Sequence, residues 1–221
     1  MPAAGRGERA GTGDLKQFRA IAGVPMLLRA VRPFTRHPRV ACVVVALPSD
    51  TASHPPDWLG GLVNERFRLV RGGVTRADSV RAGLDALPAG CRIVLVHDAA
   101  RPFVTRETVD AVIAAATQGV GVVPAVPVSD TLKQADGAGI SIVATVPREA
   151  LWRAQTPQGF PRHMLETAYG RWAGNGVGEA TDDATVVQAA GFPVRLVRDE
   201  TTNIKVTTPA DFTLADALAR Q

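Results

Sequence analysis

The stretch Arg92-Ile93-Val94-Leu95-Val96-His97-Asp98-Ala99-Ala100-Arg101-Pro102 passes in one step from an unbroken apolar run to a histidine, a carboxylate and a guanidinium. A short run that is apolar at nearly every position reads as a strand buried on both faces. Four more runs have the same character: Ala41–Leu47, Phe67–Val70, Gly121–Val126 and Val194–Val197. Between them lie stretches with helical patterning, Pro25–Thr35, Ala77–Ala86, Arg106–Ala116, Pro161–Trp172, Asp182–Ala190 and Pro209–Ala219. Thr105 and Thr181 stand at N-cap positions, and Thr208 precedes a proline suited to the first helical turn. Strand–helix alternation predicts an α/β fold, Rossmann-like, with a mostly parallel sheet, right-handed crossovers and helices on both faces.

One stretch departs from this pattern. From Val128 to Val146 two polar-alternating segments flank Asp136-Gly137-Ala138-Gly139, which predicts a β-hairpin. A two-stranded arm is marginal by itself, so it needs a surface to lie on, and a second copy of the chain is the nearest candidate. The 221 residues therefore read as one domain, 1–221, with 128–148 as a protruding β-hairpin arm for dimerisation.

Composition narrows the class. With 46% hydrophobic and 21% charged residues the chain affords a globular core. No apolar run approaches the roughly 20 residues of a membrane span, and the N-terminal residues lack the apolar stretch of a signal peptide. Cys42 and Cys91 read as buried, reduced thiols. These features predict a cytoplasmic protein with no membrane partner. The formal net charge is +4, but the arginines are scattered and aromatics make up only 5%. That disfavours a nucleic-acid surface and suits a phosphorylated small molecule.

The chemistry-bearing residues fall in loops. Pro2-Ala3-Ala4-Gly5-Arg6-Gly7-Glu8-Arg9 offers small residues and successive N–H groups for phosphate oxygens, with Arg9 and Lys16 as fixed positive charge. It is not a Walker loop, since no Gly-Lys-Ser/Thr ends it. Taken literally it also fits the dinucleotide fingerprint, but the second strand ends near Pro48-Ser49-Asp50, too late to supply the acidic residue a redox cofactor requires. Because such a loop normally follows a buried strand, a first strand upstream of residue 1 is expected. Gly72-Gly73 gives a flat ring close approach, with Ser79 in hydrogen-bonding range. Asp98, just past a strand end, is placed to hold Mg²⁺ against a triphosphate, and Arg101 to grip a phosphate. His97 reads as a packed, orienting residue. Gln155–Phe160 reads as a rigid turn, Asn203–Thr207 as a short strand carrying Lys205. No Ser-His-Asp or Cys-His set assembles.

Taken in order, Pro-Ala-Ala-Gly-Arg-Gly, Lys16-Gln17-Phe18, Gly-Gly-x-x-Arg with Ser79, His-Asp-Ala-Ala-Arg-Pro, Asp-Thr-Leu-Lys, Thr-Pro-Gln-Gly-Phe, Thr-Asp-Asp-Ala and Asn-Ile-Lys-Val-Thr run from Pro2 to beyond Lys205. This order resembles the 2-C-methyl-D-erythritol 4-phosphate cytidylyltransferases of the non-mevalonate isoprenoid pathway, over nearly the whole chain. The resemblance implies a nucleotidyltransferase-type fold, CTP and a sugar-alcohol phosphate as substrates, Mg²⁺ as cofactor, and a homodimer joined through the β-arm. It assigns Ala3, Ala4, Gly5 and Gly7 to the nucleotide loop, and Gly73 and Ser79 to cytosine. Arg9 and Lys16 fall to the α-phosphate in the transition state, Arg148 and Lys205 to positioning the acceptor. Asp98, Arg101, Thr131, Thr156 and Thr181 fall to the substrate pocket, with Thr131 and Arg148 reaching it across the interface. Leu15 stands where the family usually has Pro, and Val74 where some members have Asp. The alternatives are a ribitol-5-phosphate cytidylyltransferase, an NAD(P)-dependent oxidoreductase and a non-catalytic nucleotide-binding dimer.

Overall fold

The computed structural model describes residues 1–5, 15–172 and 180–220. After a 3-10 turn at Lys16–Phe18, a short ribbon, β1 (Ala20–Ile21) and β2 (Val24–Pro25), leads into α1 (Met26–Thr35). Then come β3 (Val43–Leu47), the short helices α2 (Ser49–Ser53) and α3 (Asp57–Gly60), β4 (Phe67–Arg71), α4 (Arg76–Asp85), β5 (Ile93–Val96), α5 (Arg106–Ala116) and β6 (Gly121–Pro127). The arm is β7 (Leu132–Ala135) and β8 (Ile142–Val146). The chain returns through β9 (Trp152–Ala154), β10 (Gln158–Pro161), α6 (Arg162–Trp172), α7 (Asp183–Ala189), β11 (Val194–Arg198) and α8 (Pro209–Leu218).

All five apolar runs form strands. β3 is buried at every position and pairs in parallel with β4, Val43 opposite Phe67. β11 pairs in parallel with β6, Val194 opposite Gly121. Helices cover both faces through separate apolar clusters. One joins α1 and α5 to β3 through Leu27, Phe34, Val45, Val109 and Ile113. The other joins α4, α6 and α7 to β5, β6 and β10 through Leu84, Val96, Val123, Phe160, Leu165 and Val187. No helix among the described residues is long and apolar enough to cross a membrane.

β10 corrects the expected rigid turn at Gln155–Phe160. Only its first residues turn, through a cis Thr156–Pro157 bond. The rest inserts antiparallel between β5 and β6, with Gln158 opposite Val96 and Gly159 opposite Val122. Gly159 admits the insertion. A Cβ there would stand 2.4 Å from Val112 Cγ1 of α5 and 3.1 Å from Leu95 Cδ2, so the helix rests directly on the strand backbone.

Three other expectations change. Asn203–Thr207 forms no strand; it is an extended loop anchored by Val206 N donating to Ala100 O at 2.8 Å. Thr181 is not the cap of α7: the Asp182 side chain accepts from Thr185 N at 2.9 Å and the helix begins one residue later. Cys42 and Cys91 are free but only half-buried. The Thr105 and Thr208 caps form as expected, the latter as a capping box with Asp211.

The hairpin stands where the alternation places it. Asp136 closes its tip, accepting from Ile140 N at 3.0 Å and Ser141 N at 3.3 Å, and Gly139 takes φ 72°. Met1–Ala3 runs parallel to β3. The Met1 amine donates to Val44 O at 2.7 Å and Ala3 N to Ala46 O at 2.8 Å. Beside it, between β3 and β5, is a cavity of about 330 Å³ whose walls include Val43, Val80, Leu84, Val94 and Ile113.

Replacing Gly159 by Ala is expected to lower stability by about 1–3 kcal/mol, as overpacking does. Urea unfolding measures this; an unchanged midpoint would show that α5 does not rest on β10.

Candidate active site

A second pocket, of about 270 Å³, opens where the Met1–Gly5 loop, the link from β4 to α4, the end of β5 and the loop bearing Lys205 meet. Ligands of open α/β sheets lie beyond the carboxyl ends of strands, and this pocket is so placed. Ala3, Ala4, Gly5, Lys16, Gly73, Ser79, Asp98 and Lys205 line it together. They come from five separate motifs of the sequence. Gly7 and Arg9 lie outside the described residues.

Close packing brings the two glycine-bearing loops together. A Cβ on Gly72 would stand 2.4 Å from Ala4 Cβ, and one on Gly73 would stand 2.1 Å from Asp78 Cβ. Gly72 N donates to Leu47 O at 2.7 Å, which continues the β3–β4 pairing into the loop. Thr75 and Asp78 then form a capping box that starts α4. Ser79 is buried; its hydroxyl accepts from Gly73 N and donates to Thr75 O, both at 3.1 Å. It holds the loop in shape. The opposite loop is clamped by Gln17, which donates to Ala3 O at 2.7 Å.

Asp98 is held between two cations. Lys205 Nζ lies 2.9 Å from Oδ2 and Arg76 Nη2 lies 3.4 Å from Oδ1. Burial works against its charge, but Arg76 and then Lys205 outweigh burial and hold the carboxyl down at about 2. Its backbone is fixed by a relay. Asp98 N donates to Thr156 Oγ1 at 3.0 Å, Thr156 Oγ1 lies 3.0 Å from His97 Nδ1, and His97 Nε2 lies 2.9 Å from Arg101 O. A carbonyl only accepts, so Nε2 carries the proton and Nδ1 accepts from the threonine. Burial pushes the imidazole down to about 4, which keeps it in this neutral form. Lys16 Nζ donates to Val206 O at 3.1 Å, beside Lys205.

The sequence matches the family described as IspD, 2-C-methyl-D-erythritol 4-phosphate cytidylyltransferase, over residues 1–221. The chain belongs to this family. It is 47% identical to the 2-C-methyl-D-erythritol 4-phosphate cytidylyltransferase of Streptomyces coelicolor, covering 100% of this chain and 84% of the relative. It is 40% identical to a bifunctional IspD/IspF enzyme of Desulfotalea psychrophila, of which it spans 56%. Among solved structures, the 2-C-methyl-D-erythritol 4-phosphate cytidylyltransferase of Thermus thermophilus superposes with a TM-score of 0.81 at 40% identity, over 93% of this chain and 94% of that one.

Not every residue that the IspD resemblance assigns lies in the pocket. Arg101 directs its guanidinium to Asn203 O at 2.7 Å and Ala154 O at 3.3 Å. Thr156 is buried beneath Asp98. Both brace the pocket. Thr181 is exposed at the foot of α7. Thr131 and Arg148 are exposed beside the arm, where Arg148 donates to Ser129 O. Conversely, Arg76 lines the pocket. Its signal was the arginine of Gly-Gly-x-x-Arg, a motif read only for its glycines and for Ser79. No cluster of three metal-ligating side chains occurs among the described residues. Asp98 is the carboxylate that lines the pocket among the described residues; one carboxylate with substrate phosphates for the remaining ligands is how a site of this kind would hold Mg²⁺.

His97 predicts a pH dependence. Its folded value near 4 lies below the unfolded 6.5. The stability that it contributes is therefore fully present above pH 6.5 and is lost as pH falls towards 4, by roughly 2–3 kcal/mol at pH 4.5. In urea unfolding at pH 7.5 and 4.5, His97→Gln is expected to lose less on acidification than the parent chain. Equal losses would contradict the neutral relay.

Proposed function

We propose that the pocket beside the Met1–Gly5 loop is where this chain performs its family's reaction, transfer of the cytidylyl group of CTP to 2-C-methyl-D-erythritol 4-phosphate. The products are 4-diphosphocytidyl-2-C-methyl-D-erythritol and pyrophosphate, in isoprenoid precursor biosynthesis. The observation that carries this is the meeting of Lys16 and Lys205, 189 positions apart in sequence, with both glycine-bearing loops in one pocket.

In this reading cytosine lies by Gly73 and Ser79, and the triphosphate lies along Ala3, Ala4, Gly5 and Gly7. An oxygen of the acceptor phosphate, already ionised, attacks the α-phosphorus in line. The bond to the β-phosphate oxygen breaks, and pyrophosphate leaves with the electron pair. No covalent enzyme intermediate and no protein base is needed. Lys16 and Arg9 stabilise charge on the α-phosphate, and Lys205 and Arg148 orient the acceptor. Catalysis of this kind is positioning plus electrostatics. Mg²⁺, held by the triphosphate with Asp98 as a protein ligand, would supply further charge neutralisation. Arg101 and Thr156 act by holding the strand ends, and Thr181 belongs to the outer acceptor side.

The reading includes a homodimer in the cytoplasm. The arm exposes Ile140, Ile142 and Val143 at 85%, 67% and 58%. Apolar side chains on a two-stranded arm need cover. Covering them on a second copy would bring Thr131 and Arg148 to the neighbouring pocket.

Pyrophosphate release with CTP and Mg²⁺ is expected with methylerythritol phosphate and not with ribitol 5-phosphate; the reverse would overturn the acceptor. Lys16→Met is expected to lower kcat on the order of 10²-fold or more. Mixing inactive Lys16→Met and Arg148→Ala chains is expected to restore up to about a quarter of parent activity, since one site in four recovers both groups if arms cross. No recovery after subunit exchange would place Arg148 in its own subunit's site.

A further inference from the structure

Five side chains stand in file from the pocket into the core. Lys205 Nζ lies 2.9 Å from Asp98 Oδ2, and Asp98 Oδ1 lies 3.4 Å from Arg76 Nη2. The same Nη2 lies 2.6 Å from Asp183 Oδ2, and Tyr169 Oη donates to Asp183 Oδ1 at 2.6 Å. The Lys205 side chain is 48% exposed, Arg76 27%, Asp98 13% and Asp183 0%. Each member comes from a different element: the 203–207 loop, the end of β5, the first residue of α4, the first of α7, and α6.

The two cations that hold Asp98 are anchored very differently. Arg76 is locked by a fully buried carboxylate, itself fixed by a tyrosine hydroxyl. Lys205 is a half-exposed ammonium on a flexible stem. Only Lys205 is free in geometry to turn towards a bound phosphate. If it does, one cation remains to keep Asp98 where it is.

We propose that Arg76 is a positioning residue for the acceptor. Anchored on Asp183, it keeps Asp98 in place while Lys205 turns from Asp98 to the acceptor phosphate. This rests on the reading of Lys205 as an acceptor-phosphate ligand. Without Arg76 the carboxylate follows the lysine, stays paired with it, and cancels the charge that the acceptor needs. The loss therefore falls more heavily on the acceptor than on CTP, which Asp98 would meet only through Mg²⁺. Lysine at position 76 does not serve, because both carboxylates are met by the far nitrogen Nη2, and a lysine ammonium, one heavy atom nearer the backbone, falls short of holding both.

Removing Arg76 alone leaves Asp183 buried and unpaired, a strongly destabilising change. The test therefore pairs Arg76→Met with Asp183→Asn, which removes both charges and leaves Tyr169 an oxygen to bond. Arg76→Lys and Lys205→Met are measured beside it, by thermal melting and by steady-state kinetics with CTP and methylerythritol phosphate. The double variant and Arg76→Lys are expected to raise the KM for the acceptor about tenfold or more, the loss of one charge-assisted hydrogen bond, and the KM for CTP several-fold less than that. An unchanged acceptor KM, or equal losses for both substrates, overturns the proposal. Should the double variant not fold, Arg76→Lys decides by the same split. If Lys205→Met raises the acceptor KM and the Arg76 variants do not, only the role of Arg76 fails. If Lys205→Met also leaves it unmoved, the reading of Lys205 fails with it.

Discussion

His97 is buried with both ring nitrogens in use, and the bonds around it allow one arrangement of protons. Its Nε2–H is committed to the Arg101 carbonyl, so Nδ1 accepts from Thr156, and the Thr156 oxygen is left to accept from Asp98 N. Three pieces of chain are thereby fixed: the end of β5, the turn into β10 and the start of the segment that leads to α5. Asn203 extends the stitch by donating to Thr156 O at 2.9 Å. Asp98, which lines the pocket, hangs from the first of these pieces. A charged imidazole would lack the acceptor that the relay depends on, so the burial that keeps it neutral also keeps Asp98 where it stands.

A second polar network does the same for Lys205. Thr108 of α5 donates to Asp199 Oδ1 at 2.5 Å, and Asn203 donates to Asp199 Oδ2 at 2.8 Å. Gln155 donates to Asn203 O at 3.0 Å from the other side. A buried network of this kind rigidifies the backbone that it touches, although Gln155 Oε1 and Asn203 Oδ1 are buried without a partner among the described residues. The loop carrying Lys205 thus holds its position without strand pairing, while the lysine side chain beyond it is half-exposed and paired with Asp98. Rigid backbone under a half-exposed cation suits a site that must both hold a phosphate and release it.

The architecture was legible because burial on both faces leaves an unmistakable composition: β3, β5 and β6 read as strands from their valines and leucines alone. β10 was not, since Gln158, Gly159 and Pro161 carry no such signature. What places it is a steric fit under α5, which only three-dimensional packing reveals. The pocket was legible as a set of motifs, and Lys16, Gly73, Asp98 and Lys205 do converge. Their neighbours were harder to assign. Arg101 and Arg76 are both arginines near strand ends, and their residue type says nothing about which guanidinium turns to backbone carbonyls and which turns into the pocket. Asp183 decides the matter for Arg76, from more than a hundred residues away in sequence.

Gly72 and Ala4 fill one space between them, a hydrogen on one side and a methyl on the other. Their tolerance to change is therefore shared. A methyl group added at position 72 is accommodated only if one is given up at position 4, and even then Ser79 Oγ, 2.9 Å from the added carbon, has to yield. Effects at such touching positions do not add. Across the history of this chain the two loops are thus constrained to drift jointly, each setting which residues the other is free to sample.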